Sequence, residues 1–396
     1  MARDPESKDG GGRFFHRHPG WTLTGIVIVA LVGLDLGLGA CYRWVVGDSF
    51  YYSRVDFGRG LNRRYRSGSP VFHHGLKPLV SMRAQWGEYA YTVHTNALGF
   101  KDGAAVDVPL VTDRYRILFI GDSVTEGVGM SHEDTFVGRI GEALKEEGVE
   151  VLNAGVSSYA PSLYLAKVRH YLETVGLKID ELVVFLDISD PWDEIYRYPP
   201  AVLAPPPLPE EAVPPPPVGI TLESVKLFFR EYSILYSVPR WFKLRQKFVK
   251  PGATPADNPV IDYPRGRWTF DDQAYREFGE PGLEVMRKNM EELARLLRGR
   301  GIPLTVVVYP WPGQIYYRDI PSRQEGAWAE WAGGMGADFL SLFGALVTTD
   351  AATNRDNILG YYIPNDMHFN QAGHELVAAR FVDHWRHHHP EGGKAN

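Results

Sequence analysis

The apolar run Ile117-Leu118-Phe119-Ile120 stops abruptly at Gly121-Asp122-Ser123 and gives way within ten residues to a helical pattern. Few features constrain a fold more tightly. A short apolar run bounded by a turn signal is a buried strand. Here the turn places a serine hydroxyl at the strand's carboxyl end, where ligands bind in open α/β sheets.

From that point the chain alternates. Residues 116–121 read as a strand and 133–147 as a helix, with Phe136, Val137, Ile140 and Leu144 on one face. A strand over 149–156, a helix over 161–175 and a strand over 182–187 follow. After an interruption the pattern resumes: helix 281–298, strand 304–309, helix 324–333, short strand 337–341 and closing helix 372–384. This spacing implies βαβ units and a parallel sheet, an α/β fold.

The interruption is an insertion over 196–270. Its proline-dense stretch 199–217 can hold neither helix nor sheet. Residues 222–248 read as helical, rich in Phe, Tyr, Leu and basic residues. Their apolar surface suits a lid, a bilayer contact or ordinary packing. Upstream, 45–113 reads as a lead-in that packs on the main domain, 114–390, and its paired His73-His74 reads as structural.

Residues 1–20 form a short tail, and 21–44 read as a transmembrane signal-anchor. Trp21 to Ala40 is about the 20 residues a helix needs to cross the hydrocarbon. Asp35 is the single charge inside, toward the carboxyl end where it costs less than at the centre. Basic residues lie on both sides, so charge alone does not orient the helix; the short tail and large body favour a body outside the cytoplasm. Leu38-Gly39-Ala40-Cys41 also matches the pattern before a lipidated cysteine, with the long tail and Asp35 against it.

Composition narrows the function. With a net charge of −6 over 396 residues and no basic stripe, nothing points to nucleic acid. Cys41 is the only cysteine, which excludes an intramolecular disulfide and a cysteine-rich metal site. Ten Trp and 21 Tyr suit carbohydrate stacking and an ordinary core equally well. The Walker lysine is absent after Gly121, which counts against a phosphate loop.

A serine hydroxyl is a poor nucleophile without a positioned base, and histidine can take and return a proton near neutral pH. A carboxylate must then fix the imidazole tautomer. Ser123, His368 and Asp366 fill these roles, the last two being presented by one turn before the closing helix. At these residues the chain resembles the SGNH, or GDSL, hydrolase family. Ile120-Gly121-Asp122-Ser123 matches its nucleophile block, Asn153-Ala154-Gly155-Val156-Ser157 its second block, and Pro364-Asn365-Asp366-Met367-His368 its last.

The resemblance implies a flavodoxin-like three-layer α/β/α sandwich, with catalytic Ser123, Asp366 and His368 on one rim. It implies an oxyanion hole from the Ser123 and Gly155 amides. The family's third-block asparagine is replaced by Ser189, in Leu186-Asp187-Ile188-Ser189-Asp190, so a third donor falls to Ser189 or Asn153. Asp122, Asp190 and Trp311 are the expected substrate contacts, Trp311 reading equally as a sugar-stacking platform or as a capped, buried tryptophan. The acidic loop Asp187, Asp190, Asp193 and Glu194 and the histidine tail from His384 read as solvated rather than metal-binding. No cofactor or metal is called for.

The expected activity is hydrolysis of an acyl ester or O-acyl transfer through an acyl-serine. The substrate would be an acylated cell-surface carbohydrate or a small ester, with a membrane acyl-donor partner if transfer is the reaction. The alternative is an inactive SGNH-fold carbohydrate-binding or polysaccharide-assembly protein.

Overall fold

A computed structural model describes residues 18–46, 49–51, 65–86, 89–199, 222–248 and 260–390. The proline-dense stretch and the first 17 residues lie outside these. The chain divides into two compact units: Met1–Phe57 with Pro215–Gln246, and Gly58–Pro214 with Lys247–Asn396.

In the larger unit, β1 (Arg66–Ser69) and β2 (His73–Leu76) form a two-stranded antiparallel ribbon. The main sheet runs β10-β9-β8-β6-β7-β5-β4-β3. Its strands are β3 (Ser81–Trp86), β4 (Tyr89–Thr95), β5 (Lys101–Asp102), β6 (Tyr115–Ile120), β7 (Val149–Asn153), β8 (Glu181–Leu186), β9 (Leu304–Val308) and β10 (Asp338–Ser341). The five strands from β6 onward are mutually parallel, and their order 7-6-8-9-10 is the flavodoxin-like order expected from the sequence. The lead-in contributes more than packing, because β3, β4 and β5 extend the same sheet antiparallel, joining it at Lys101↔Asn153.

In the smaller unit α1 spans Pro19–Val46. The larger unit holds α2 (Ser123–Glu126), α3 (Phe136–Leu144), α4 (Pro161–Arg169) and α5 (Asp190–Tyr196). The insertion gives α6 (Leu222–Tyr232) and α7 (Ile234–Phe248). Then come α8 (Glu280–Arg298), α9 (Pro312–Tyr317), α10 (Arg323–Met335), α11 (Ala351–Tyr361) and α12 (Gln371–His388). The helix over 351–361 lacks a strong apolar stripe, burying only Asn354 and Ile358, and sequence periodicity does not reveal it.

Strand order sorts the helices. The chain passes from β6 to β7 in one direction and from β7 past β6 to β8 in the other. Right-handed crossovers therefore send α3 and α4 to opposite faces. Contacts agree: α12 packs on α3, while α4 and α5 pack on α8. On the α3 side, Phe136 stacks on Phe185 with ring centroids 4.5 Å apart, and Phe119 meets Phe381 at 5.0 Å.

One buried ion pair ties the lead-in to the serine-bearing turn. Arg66 Nη2 donates to both Glu126 carboxylate oxygens at 2.6 Å, and the Ser157 amide donates to Glu126 Oε2 at 2.7 Å. Burial pushes the Glu126 pKa up, but the Arg66 charge and these hydrogen bonds outweigh it and hold the pKa below the ordinary value. Leaving that carboxylate unpaired costs about 3 kcal/mol or more, so Arg66→Met should lower stability by that order in urea titrations at pH 7. Because the folded-state pKa is depressed, the pair's contribution is present above the unfolded pKa and is lost as pH falls through the folded one. The gap between wild type and Glu126→Gln should therefore shrink below about pH 4.5.

Candidate active site

Ser123 opens α2 directly after β6. Asp122 caps that helix, its Oδ1 accepting the Val124 amide at 2.9 Å. The other oxygen, Oδ2, accepts the Ser123 hydroxyl at 3.0 Å. Asp122 is thus buried within the turn and is not a substrate contact.

Asp366 and His368 come from a loop closed upon itself. The Ile363 amide donates to the His368 carbonyl at 2.9 Å, and the Asp366 amide to the Ile363 carbonyl at 3.0 Å. Asn365 takes φ 60°, a conformation asparagine tolerates better than most residues. The loop aligns His368 Nδ1 with Asp366 Oδ1 at 2.5 Å, and the His368 amide donates to the same oxygen at 3.0 Å. That leaves Nε2 for proton transfer. It is buried and has no hydrogen-bond partner among the described residues.

A residue invisible to the sequence reading completes this pair. Trp86, at the end of β3, donates its indole N–H to Asp366 Oδ2 at 2.7 Å. Its ring meets His368 edge-on, with centroids 5.2 Å apart. Nothing local marks Trp86, which lies 280 positions from its partner. Burial raises the Asp366 pKa, but the His368 charge and the donors from His368 and Trp86 prevail and hold it below the carboxylate range. Burial likewise works against protonation of His368, yet Asp366, with Asp122 and Asp187, raises its pKa above the usual imidazole value.

Behind Ser123 lies a set of buried carboxyls. Asp187 Oδ2 accepts the Tyr309 hydroxyl at 2.6 Å and the Trp311 indole at 2.8 Å. Its Oδ1 accepts the Ser189 hydroxyl at 2.6 Å and the Ser189 amide at 2.8 Å. The Tyr309 oxygen also lies 3.3 Å from Asp122 Oδ1, linking the two carboxyls. Burial and the Asp187 charge push Asp122 to about 8. Burial and the same neighbours raise Asp190 well above the carboxylate range. Clustered carboxyls cannot all ionise, and burial beside Asp187 favours the neutral form of Asp122 next to Ser123.

Several sequence expectations change here. The loop holding Asp187, Asp190, Asp193 and Glu194 is not solvated; all four side chains are buried. Asp190 accepts the Tyr164 hydroxyl at 3.1 Å and the Asp187 amide at 3.1 Å, so it organises the loop and meets no substrate. Trp311 is only 4% exposed, and its commitment to Asp187 leaves no open ring face for a sugar. Ser189 donates its hydroxyl to Asp187, and the Asn153 side chain donates to the Thr125 carbonyl at 2.8 Å. The Gly155 amide donates to Asn153 Oδ1 at 3.0 Å. Gly155 lacks a side chain for a packing reason: a Cβ there would lie 2.7 Å from the Glu126 amide nitrogen. Among the described residues the Ser123 and Ser158 amides donate to no protein acceptor, and Ser158 turns with φ 66°.

His74 is a structural residue, with Nε2 3.0 Å from the Ser157 carbonyl. The histidine tail is partly engaged rather than solvated: His384 Nε2 lies 2.5 Å from Asp338 Oδ2, and His389 stacks on Trp385 at 4.4 Å. Asp338, His384 and His388 are the one group of three among the described residues whose donor atoms, within 4.8 Å of one another, could hold a cation. Asp338 begins β10, so this group sits at the amino ends of the strands, opposite Ser123.

No family model and no curated protein matches the chain. Solved structures similar to its fold include TesA, with a TM-score of 0.38 and 12% identity over 70% of this chain and 99% of that one. An acetylxylan esterase from Geobacillus stearothermophilus gives 0.36 and 13% over 69% and 95%. The esterase EstA from Pseudoalteromonas sp. gives 0.36 and 11% over 70% and 99%.

The Trp86 contact has a measurable consequence. Removing its donor leaves more of the Asp366 charge acting on the imidazolium. In NMR titrations His368 should titrate above 6.5 in the wild type, and higher still in Trp86→Phe.

Proposed function

We propose that the chain is a serine acyl-ester hydrolase or O-acyltransferase of the SGNH type, held at a membrane by α1. The observation that carries this reading is the buried Asp366–His368 pair, whose unpartnered Nε2 belongs to the same electrostatic cluster as the Ser123 turn. A carbohydrate-binding protein without catalysis has no use for an oriented imidazole with a vacant acceptor nitrogen. For that reason the inactive alternative ranks second.

The proposed chemistry follows from the hydrogen bonds. In this reading the Ser123 hydroxyl leaves Asp122 Oδ2 and gives its proton to His368 Nε2 as Oγ attacks the ester carbonyl. Asp366, bonded to Nδ1, stabilises the imidazolium that forms. The developing oxyanion would accept from the Ser123 backbone amide, while a neutral Asp122 spares it a nearby charge. His368 then returns the proton to the leaving alkoxide. Water or a sugar hydroxyl, deprotonated by the same nitrogen, releases the acyl group. An acylated carbohydrate outside the cytoplasm suits the membrane tether and the family resemblance. If transfer is the reaction, a membrane partner would supply the acyl group.

Support for the tether comes from α1 itself. Its apolar window has a mean hydropathy of 2.1, and only 6% of it is buried.

Labelling with a fluorophosphonate followed by peptide mapping should mark Ser123, and Ser123→Ala or His368→Ala should abolish release of p-nitrophenol from its acetate with the fold retained. Activity surviving both changes would remove the assignment. The ordinary enzyme should show a bell-shaped kcat/KM profile. Its acid limb should lie above 6.5, set by His368, and its alkaline limb near 8, set by Asp122. Asp122→Asn keeps the cap but cannot ionise, and should lose the alkaline limb.

A further inference from the structure

In the smaller unit the apolar helix α1 is not bare along its whole length. Asp35, its one interior charge, is buried against the insertion: its Oδ2 accepts the Ser233 hydroxyl at 2.5 Å and its Oδ1 accepts the Leu235 amide at 2.9 Å. One turn on, Gly39 faces the end of α6, where a Cβ would fall 1.9 Å from the Tyr232 carbonyl oxygen. One turn further, Arg43 Nη1 pairs with Glu231 Oε2 at 2.6 Å, and its guanidinium lies over the Tyr232 ring at 5.4 Å. Three positions at helical spacing on α1 thus hold the junction of α6 and α7.

That junction is a break between two helices at the buried Ser233, where backbone groups lose their helical partners. The first amides of a new helix have no partner within it. Here the Leu235 amide goes to Asp35 and the Tyr236 amide to Ser233 Oγ at 2.9 Å, while the Ser237 hydroxyl donates to the Ser233 carbonyl at 3.1 Å. In water such caps stabilise a helix end but can be replaced by solvent. The apolar run 21–40 is about 30 Å long at 1.5 Å per residue, which puts Asp35 about 7 Å inside its carboxyl end. At that depth in a bilayer no water reaches a broken helix, and every backbone polar group needs an internal partner. The carboxylate of Asp35, costly in hydrocarbon alone, is matched by two donors and by the amino end of α7.

Around this satisfied junction the insertion presents apolar side chains outward. Phe228 is 48% exposed, Leu235 64% and Phe242 52%, and Leu222 and Leu227 are exposed as well. Leu235 is the telling one, because it is the residue whose amide Asp35 accepts. Its side chain therefore shares the depth of Asp35.

We propose that α6 and α7 form a second membrane element, seated beside a retained α1 with Phe228 and Leu235 against lipid acyl chains. This rests on the reading that α1 spans a membrane. It adds that α1 is not removed as a signal sequence, because Asp35, Gly39 and Arg43 form half of the junction. The occupant of the apolar surface is lipid, on the strength of its continuity with the span.

The test uses the full chain in nanodiscs on a Cys41→Ser background, with single cysteines at Val29, Phe228, Leu235 and, as a water-facing control, Glu142. Each carries bimane, and quenching is read with lipids brominated along the acyl chain. Quenching of the Phe228→Cys and Leu235→Cys probes to an extent similar to Val29→Cys, with the Glu142→Cys probe unquenched, is the expected result. Quenching at Val29→Cys alone would overturn the proposal while leaving the anchor intact; resistance of the other two sites to impermeant maleimide would then indicate a protein partner in place of lipid. Absence of quenching at Val29→Cys would instead remove the anchor reading itself. Asp35→Leu should abolish quenching at Leu235→Cys and preserve it at Val29→Cys. Asp35→Asn, which keeps an acceptor for the Leu235 amide, should retain most of it and guards against misfolding of the harsher variant. An intact mass lacking the residues of α1 would also overturn the proposal.

Discussion

The reversal of strand order at β6 is the constraint on which the site depends. With β7 on one side and β8 on the other, the crossovers leave toward opposite faces, and a crevice opens at the carboxyl ends of β6 and β8. Ser123 follows the first of these strands and Asp187 the second, so the serine turn and the carboxyl cluster share the carboxyl ends of neighbouring strands. Tyr309, after the adjacent β9, bridges Asp187 and Asp122 from the same rim. The closing loop brings His368 there, and the antiparallel extension through β5 and β4 carries Trp86 round to Asp366.

The polar interior near Ser123 is a balance of charge as much as of hydrogen bonds. Asp122 and Asp187 share the Tyr309 hydroxyl and cannot comfortably ionise together. Asp187 accepts four hydrogen bonds, from the Ser189 amide and hydroxyl, Tyr309 and Trp311, while burial pushes Asp122 to about 8. Ser189 commits both its amide and its hydroxyl to Asp187. On the far side of the serine turn, the Arg66–Glu126 pair fixes Ser157 and with it the loop that ends at Ser158.

The smaller unit obeys one rule about buried polar groups. A polar group buried without a partner is costly, and more so where hydrocarbon replaces water. Asp35 looks like a flaw in a membrane span when α1 is considered alone. Paired with Ser233 and the Leu235 amide, it is half of a joint whose other half lies about two hundred residues along the chain. Gly39 belongs to the same joint, since a side chain there would occupy the space of the Tyr232 carbonyl.

What the sequence by itself determined follows from local periodicity. The five parallel strands, the principal helices packed on them, the long apolar helix and the Asp366–His368 turn all arise from patterns within a few residues, where propensity and spacing act directly. The antiparallel strands alternate in sequence, with Met82, Ala84 and Trp86 on one face of β3 and Tyr91 and Val93 buried in β4, but their membership of the main sheet was not legible, because it depends on an edge that β7 supplies through β5. The role of Trp86, the burial of the acidic loop and of Trp311, the commitment of Gly155 and Ser189 to other partners and the clasp at Asp35 were decided only by the tertiary structure. Each depends on which distant groups share a low-dielectric space, and a hydrogen bond between residues far apart in the chain leaves no trace in the spacing of either.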